Sequence, residues 1–379
     1  MIVSVPKESA PGERRVALVP ELVPKLIKAG LEVVVQSGAG AAAGFLDSSY
    51  LGVGARIEPE VFGKADVLLK VQAPTTIEIE EMKAGATLIG FLQPYTSTAE
   101  IQALAARRIT AFSMELMPRI ARAQPMDALS AMSTVAGYKA VLLAASSLPK
   151  FFPLLMTAAG TVTPAHVFVI GAGVAGLQAI ATAMRLGAVV EAYDTRPAVK
   201  EQVESLGAKF ADLGLEPIDA EAKSGYAKAQ TEEFYKKQQE MMIRYVTAAD
   251  AVIPTALIPG QRAPVLITEE MVRGMRPGSV IIDLAAEQGG NCALTEPGQE
   301  VVKYGVVIIG PLNLPSTMPF HASQMYARNA TNFLAHLLKD GVIHLDLTDE
   351  LTRSPLVTHQ GEILHEAVKT RLSSVGKVS

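Results

Sequence analysis

Short continuous apolar runs alternate along this chain with stretches whose apolar residues recur every three or four positions. Runs of four to six apolar residues bounded by turn residues predict strands buried on both faces. The three-to-four spacing predicts helices laid over them. In residues 1–130 the strand candidates are 2–5, 31–36, 66–71, 87–91 and 109–114, with helical patterns such as 20–30 and 98–107 between them. Pro20 suits a first helical turn and Gly30 a C-cap. Farther along, strands are expected at 166–170, 188–193, 209–213, 251–255, 280–284 and 306–309. Long helical patterns cover 132–147 and 322–338, and the tail carries strand and turn signals at 342–347 and 355–362. Such alternation predicts an α/β fold of two Rossmann-like domains with parallel sheets. Residues 1–130 and 320–379 are expected to form one discontinuous domain, and 131–319 the other.

One stretch organises the second domain. The run His166-Val-Phe-Val-Ile170 leads directly into Gly171-Ala-Gly-Val-Ala-Gly176, which opens a helical pattern reaching Leu186. A second strand follows and ends at Asp194. This is a dinucleotide fingerprint in its strand–turn–helix setting. Gly171 allows the tight turn, Gly173 lets backbone approach a pyrophosphate, and Gly176 lets helix and strand pack closely. The helix N-terminus offers free N–H groups and a positive dipole end to phosphates, with Val174 and Ala175 in its first turn. Asp194 is the expected acceptor for the adenosine ribose hydroxyls. Its charge disfavours a 2′-phosphate, so NAD(H) is expected over NADP(H); Arg196 nearby weakens that preference. The long helices are then expected to join the domains around a nucleotide cleft.

Composition narrows the rest. The 379 residues carry a net charge of −4, with no basic footprint for nucleic acid. The single cysteine, Cys292, excludes a disulfide framework and a multi-cysteine metal site. Apolar runs are broken by Gly, Pro or charge before reaching the roughly 20 residues of a membrane span. The N-terminal pattern is not that of a signal peptide, so a cytoplasmic enzyme is expected. A polar excursion at 216–244 interrupts the α/β pattern. Its first half is long enough for a lid and its second half reads as a solvated helix. Residues 255–260 follow a strand end and are expected to border the adenine or ribose.

The loop Pro118-Arg-Ile-Ala-Arg-Ala-Gln-Pro-Met-Asp-Ala-Leu-Ser130 concentrates polar groups between apolar flanks, either as ordinary surface or as a functional loop. Residues 1–130 contain no histidine, and the six that exist form no Ser-His-Asp or zinc-spaced cluster, so no metal site is expected.

Val5-Pro-Lys-Glu-Ser-Ala-Pro-Gly-Glu-Arg-Arg-Val-Ala-Leu18, Lys70-Val-Gln-Ala-Pro74 and the glycine fingerprint resemble the alanine dehydrogenase and transhydrogenase superfamily. The 114–130 segment looks like the Arg–Gln–Asp loop of proton-translocating nicotinamide nucleotide transhydrogenase. Met156-Thr-Ala-Ala-Gly-Thr161 and Gly225-Tyr-Ala-Lys228 are similar to segments of the same family. The resemblance covers nearly the whole chain and implies the separate NAD(H)-binding component. Hydride would pass directly between NADH held here and NADP+ on a partner component, coupled to proton movement through separate membrane subunits. It implies that Arg119, Gln124, Asp127 and Ser130 hold the nicotinamide, its ribose and the nearby phosphates. Asp194, Thr195 and Arg196 would hold the adenosine ribose side, Gly225 and Tyr226 would sit on a mobile closing loop, and Leu257 would border the adenine. A homodimer peripheral to the cytoplasmic face of the inner membrane is implied too. Hydride transfer between two nicotinamides needs orientation and approach rather than an acid or base, so the missing histidine fits. The rival within the superfamily is an alanine dehydrogenase-like amino-acid oxidoreductase. There an Arg and a Lys, matched by Arg15 and Lys70, bind the keto-acid, and a His transfers the proton; residues 87–94 hold no His. Arg15 and Lys70 would then be structural, paired with Glu8 or Glu13. A catalytically silent NAD-sensing module is the third reading.

Overall fold

A computed structural model describes residues 1–214, 231–258 and 261–375. The chain divides into two compact units, Met1–Met132 with Pro315–Ser379, and Ser133–Leu314.

The first unit is built on an eight-stranded sheet. Its strand order is Glu362–Ile363, Leu356–His359, Thr110–Ser113, Thr87–Gly90, Val67–Leu69, Ile2–Val5, Glu32–Gln36 and Arg56–Glu58. The last six run parallel. Leu356–His359 joins antiparallel to Thr110–Ser113 and continues into Glu362–Ile363 by a hairpin. A wholly parallel sheet is therefore not what forms. The tail adds an antiparallel edge, which needs only a short turn where a parallel strand would need a long crossover. The expected helix over 20–30 divides into a 3-10 turn, Pro20–Leu22, and Val23–Lys28, because Pro24 falls inside the pattern. Gly30 sits at φ +82°, as a C-terminal cap requires.

The second unit is a seven-stranded sheet in the order Lys209–Phe210, Val189–Tyr193, His166–Ile170, Ala251–Pro254, Val280–Ile282, Val306–Ile309 and Glu300–Lys303. All pairs are parallel except the last, an antiparallel edge that apolar pattern alone does not signal. Strand side chains alternate between faces. Val167, Val169, Val190, Ala192, Ala251 and Ile253 enter one core, and Phe168, Ile170, Tyr193, Val252 and Ile281 enter the other. Each valine, isoleucine or phenylalanine among them contributes about 1.5–3 kcal/mol by leaving water. The helix Val174–Arg185 covers the first face with Ala179, Ile180 and Ala183, and Glu232–Ala248 covers the second with Met242 and Val246.

The helix Ala128–Ser147 carries the chain from the first unit into the second. Gly137 and Lys139 interrupt the apolar run within its 20 residues, although by length and composition alone the helix could cross a membrane. Its role is packing: Ala140, Val141 and Ala144 are fully buried in the second unit's core. It then leads to a small hairpin, Leu155–Thr157 with Gly160–Val162, whose Met156 is 83% exposed.

Candidate functional site

The second sheet winds outward in both directions from His166–Ile170 and its neighbour Ala251–Pro254. In open α/β sheets the crevice beyond the strand ends at such a reversal is where ligands bind. The glycine loop occupies it. Gly171 takes φ +96°, and a Cβ there would lie 2.6 Å from Oγ1 of Thr255. That hydroxyl donates to the Gly171 carbonyl at 3.0 Å and fastens the loop to the neighbouring strand end. A Cβ on Gly176 would come within 1.8 Å of the Gly171 carbonyl oxygen. These two glycines are demanded by the protein's own packing.

Gly173 is different. Its backbone, φ −73° and ψ −168°, suits any residue. Among the described residues, a Cβ there would find one heavy atom within 4 Å, Nη2 of Arg196 at 3.8 Å. The missing side chain leaves a cradle at the N-terminus of Val174–Arg185, which has no side-chain cap. Its free N–H groups and positive dipole end suit an anion, and a pyrophosphate fits that description. Another glycine buttresses this turn. Gly137, inside Ala128–Ser147, lies so close that a Cβ would be 2.1 Å from the Ala175 carbonyl oxygen.

Asp194 ends Val189–Tyr193 and is 8% exposed. Its Oδ2 accepts the Ala172 N–H at 2.7 Å, and its Oδ1 accepts the Arg196 N–H at 2.8 Å. The Arg196 guanidinium adds Nε to Oδ1 and Nη2 to Oδ2, both at 2.9 Å. Thr195 and Leu257 are half-buried, and Leu257 follows the end of Ala251–Pro254. Asn291 fixes that segment. Its Oδ1 accepts the Ala256 N–H at 3.0 Å and its Nδ2 donates to the Ala256 and Pro264 carbonyls at 2.9 and 2.8 Å. Gly225 and Tyr226 lie outside the described residues.

The polar loop of the first unit is more ordered than its composition suggests. Ala121–Met126 is a 3-10 helix, and Asp127 then caps Ala128–Ser147. Asp127 Oδ1 accepts the Ser130 N–H at 2.8 Å and Oδ2 accepts its hydroxyl at 2.6 Å. Asn329 and Asn332, from the helix Pro319–Leu337, both donate to the Pro125 carbonyl, at 2.9 and 3.1 Å. Arg122 Nη2 donates to both Asp349 carboxylate oxygens, at 2.8 and 2.6 Å. Arg119 and Gln124 are exposed, while Asp127 and Ser130 are half-buried.

Arg15 is 3% exposed and held by Glu13, with Nε at 2.7 Å and Nη2 at 2.6 Å. Lys70 is fully buried, its Nζ 3.5 Å from Glu8 and 3.3 Å from Glu78. Burial raises the Glu8 carboxyl above its ordinary range despite the Lys70 charge and the Val71 and Gln72 N–H groups that oppose it. Each cation thus faces a carboxylate of the chain itself. Histidines reach this unit through the tail: His359 Nδ1 lies 3.0 Å from the Thr110 hydroxyl, and burial lowers the pKa of its ring. No cluster of three or more His, Cys, Asp or Glu able to hold a metal occurs among the described residues.

Sequence reasoning singled out the glycines, Asp194 and the Asp127 loop. It missed the Thr255 clamp, Asn291 and Gly137. A glycine at mid-helix and a polar side chain directly after Gly289-Gly290 were the available signals.

Residues 4–136 match the family described as alanine dehydrogenase/PNT, N-terminal domain, and residues 140–366 match its C-terminal domain. The chain is 51% identical to the first part of the NAD(P) transhydrogenase subunit alpha of Rhodospirillum rubrum, covering 97% of this chain and 99% of that one. It is 31% identical to the alanine dehydrogenase of Bacillus subtilis, over 97% and 94% of the two. The crystal structure of the transhydrogenase from Sinorhizobium meliloti superposes with a TM-score of 0.85 at 43% identity, over 97% of this chain and 100% of that one. The chain therefore belongs to the alanine dehydrogenase/PNT family, and within it is more similar to the transhydrogenase alpha subunits than to the alanine dehydrogenase.

Proposed function

We propose that this chain is the NAD(H)-binding component of a proton-translocating NAD(P) transhydrogenase, working with an NADP(H)-binding partner and membrane subunits at the cytoplasmic face of the inner membrane. The observation that carries the NAD(H) reading is the Gly173 cradle: an uncapped helix N-terminus, a backbone left bare by no need of internal packing, and Asp194 beside it. Gly171, Gly173, Val174, Ala175 and Gly176 would hold the pyrophosphate. Asp194 and Thr195 would take the adenosine ribose beside Arg196, with Leu257 bordering the adenine. Gly225 and Tyr226 would close over the nucleotide. Arg119, Gln124, Asp127 and Ser130 would orient the nicotinamide end. When bound, the dinucleotide supplies the hydride; the chain binds it, orients it and excludes water. No residue need move a proton in such a step. The apolar, exposed hairpin around Met156 supports association with a second copy.

Amino-acid dehydrogenation is the second reading, favoured by the presence of Arg15 and Lys70. The Glu13, Glu8 and Glu78 carboxylates weigh against it, because a keto-acid would have to displace one of them from a buried cation.

The test begins with the purified chain given NADH, pyruvate and ammonium. Transhydrogenation predicts NADH binding without turnover, and hydride transfer once the NADP(H) component is added. Asp127→Asn should then depress transfer while NADH still binds. Steady NADH oxidation by the chain alone, or an undiminished rate in the variant, would defeat the respective assignment.

A further inference from the structure

The Asp194 carboxylate has no acceptor position left. An ionised carboxylate offers about four lone-pair sites. The Ala172 and Arg196 backbone N–H groups take one on each oxygen, and the Arg196 guanidinium takes one more on each, through Nε and Nη2. The two backbone donors belong to the glycine turn and to Asp194's own strand-end loop, so they leave only if that turn comes apart. The two guanidinium donors leave by a side-chain rotation. A ribose with both hydroxyls free brings the same number of donors to the same two oxygens. Guanidinium and diol are mutually exclusive occupants.

We propose that Arg196 is a placeholder, which fills the ribose position on Asp194 and is exchanged for the 2′- and 3′-hydroxyls of an incoming adenosine ribose. This rests on the assignment of NAD(H) to the glycine loop and adds to it how the site is kept and for which ligand it opens. Among the described residues, Arg196 Nη2 is also the one atom within 4 Å of the Cβ position above Gly173, so the same side chain overhangs the phosphate cradle. The exchange makes the site conditional. A ligand with a free diol replaces both hydrogen bonds that the guanidinium gives up. A ligand with a 2′-phosphate has lost one of those donors and brings negative charge to the exposed carboxylate. Arg196 meanwhile keeps a buried carboxylate fully satisfied, which an open Asp194 would not be.

A placeholder lowers apparent affinity by the fraction of molecules in which it is open. Removing it should therefore tighten the binding of diol ligands. The opposite is expected of a residue that grips the nucleotide. For a largely buried, charge-assisted pair whose attraction is offset by desolvation, the expected tightening is about fivefold.

The experiment measures dissociation constants of the full chain for NADH, ADP-ribose and NADPH, with wild type, Arg196→Ala and Arg196→Met. The Met variant keeps the aliphatic stem, in case shortening the side chain loosens the loop, and thermal unfolding establishes that each variant is folded. The expected result is NADH and ADP-ribose binding about fivefold tighter in both variants, with no gain for NADPH. The NADPH-to-NADH ratio then rises by the same factor. A merely structural role would move all three ligands together. Unchanged or weaker NADH binding in the folded variants overturns the exchange and leaves the NAD(H) assignment standing. Wild-type chain that binds neither NADH nor ADP-ribose overturns that assignment and the exchange with it.

Discussion

Replacing Gly173 and Gly176 one at a time by alanine separates a glycine that serves a ligand from one that serves the fold. At Gly176 the new methyl would sit 1.8 Å from the Gly171 carbonyl oxygen, backbone against backbone, with no flexible side chain to give way. Helix and strand must separate. Overpacking of this kind costs about 1–3 kcal/mol, and a contact this short belongs at the upper end. For a unit of this size each kcal/mol lowers the unfolding midpoint by about 2–4 °C, so Gly176→Ala should lose roughly 6–12 °C. At Gly173 the methyl meets nothing closer than 3.8 Å, and the backbone is already extended. Gly173→Ala should cost less than about 1 kcal/mol, the usual penalty of alanine at a helix N-cap. Yet it should weaken NADH at least tenfold, because the methyl stands where the pyrophosphate would meet the helix N-terminus. The assays are thermal unfolding by circular dichroism and NADH binding by calorimetry. A Gly173→Ala protein that binds NADH like wild type would refute the cradle, and a Gly176→Ala protein as stable as wild type would refute the packing argument.

Asp194→Asn keeps the shape but loses the charge that grips both the ribose and Arg196, so NADH binding should weaken about tenfold; calorimetry with unchanged affinity would remove Asp194 from the site. Glu13→Gln leaves the Arg15 guanidinium buried without its counter-charge and should destabilise by about 3–5 kcal/mol; urea unfolding that shows less than about 1 kcal/mol would mean that Arg15 finds another partner. Glu115 is half-buried and accepts from the Ser113 hydroxyl and the Leu92 and Gln93 N–H groups, yet desolvation raises its carboxyl above the ordinary 4.5. A raised carboxyl gives stability that is full below 4.5 and lost as pH rises through the folded value, so Glu115→Gln should flatten the fall in unfolding midpoint above that pH; superimposable profiles would exclude Glu115 as the source. Cys292 is 2% exposed and burial pushes its thiol up to about 11, so a thiol reagent at neutral pH should label it only on unfolding; rapid labelling of the folded chain would contradict that burial.

Much of this was legible because two signals repeat along the chain. Apolar runs such as 166–170 and 251–255 have the length of buried strands, and the structure closes them at Ile170 and Pro254. The fingerprint could be read because each glycine answers a separate steric demand at fixed spacing. Features that depend on contacts far apart in sequence could not be read. Glu300–Lys303 joins its sheet antiparallel, a matter of how the chain returns rather than of what it contains. Asn291 binds Ala256 and Pro264, 35 and 27 residues away, and the preceding Gly289-Gly290 marks a turn without naming these partners. Asp127 shows the reverse difficulty. Its placement three residues before Ser130 is the pattern of a helix cap, and the same pattern fits a ligand-binding loop.

The double character of Asp127 bears on how this family divides its activities. A fold that hosts both transhydrogenase subunits and alanine dehydrogenases cannot itself name the reaction; the side chains at the sites must. In the first unit the cations that suit a keto-acid are retained, but Glu13, Glu8 and Glu78 already supply the carboxylates such a substrate would bring. In the second unit Arg196 fills Asp194 in the same manner. The two arrangements differ in what release would cost. Arg15 and Lys70 are at most 3% exposed, and losing a partner would strand a charge away from water. The Arg196 side chain is 12% exposed, and its hydrogen bonds to Asp194 can be given up by side-chain rotation. A diol can replace those two hydrogen bonds one for one. Of the two self-filled ion pairs, the one on the glycine loop is therefore built to open, and the one around Arg15 is built to stay closed.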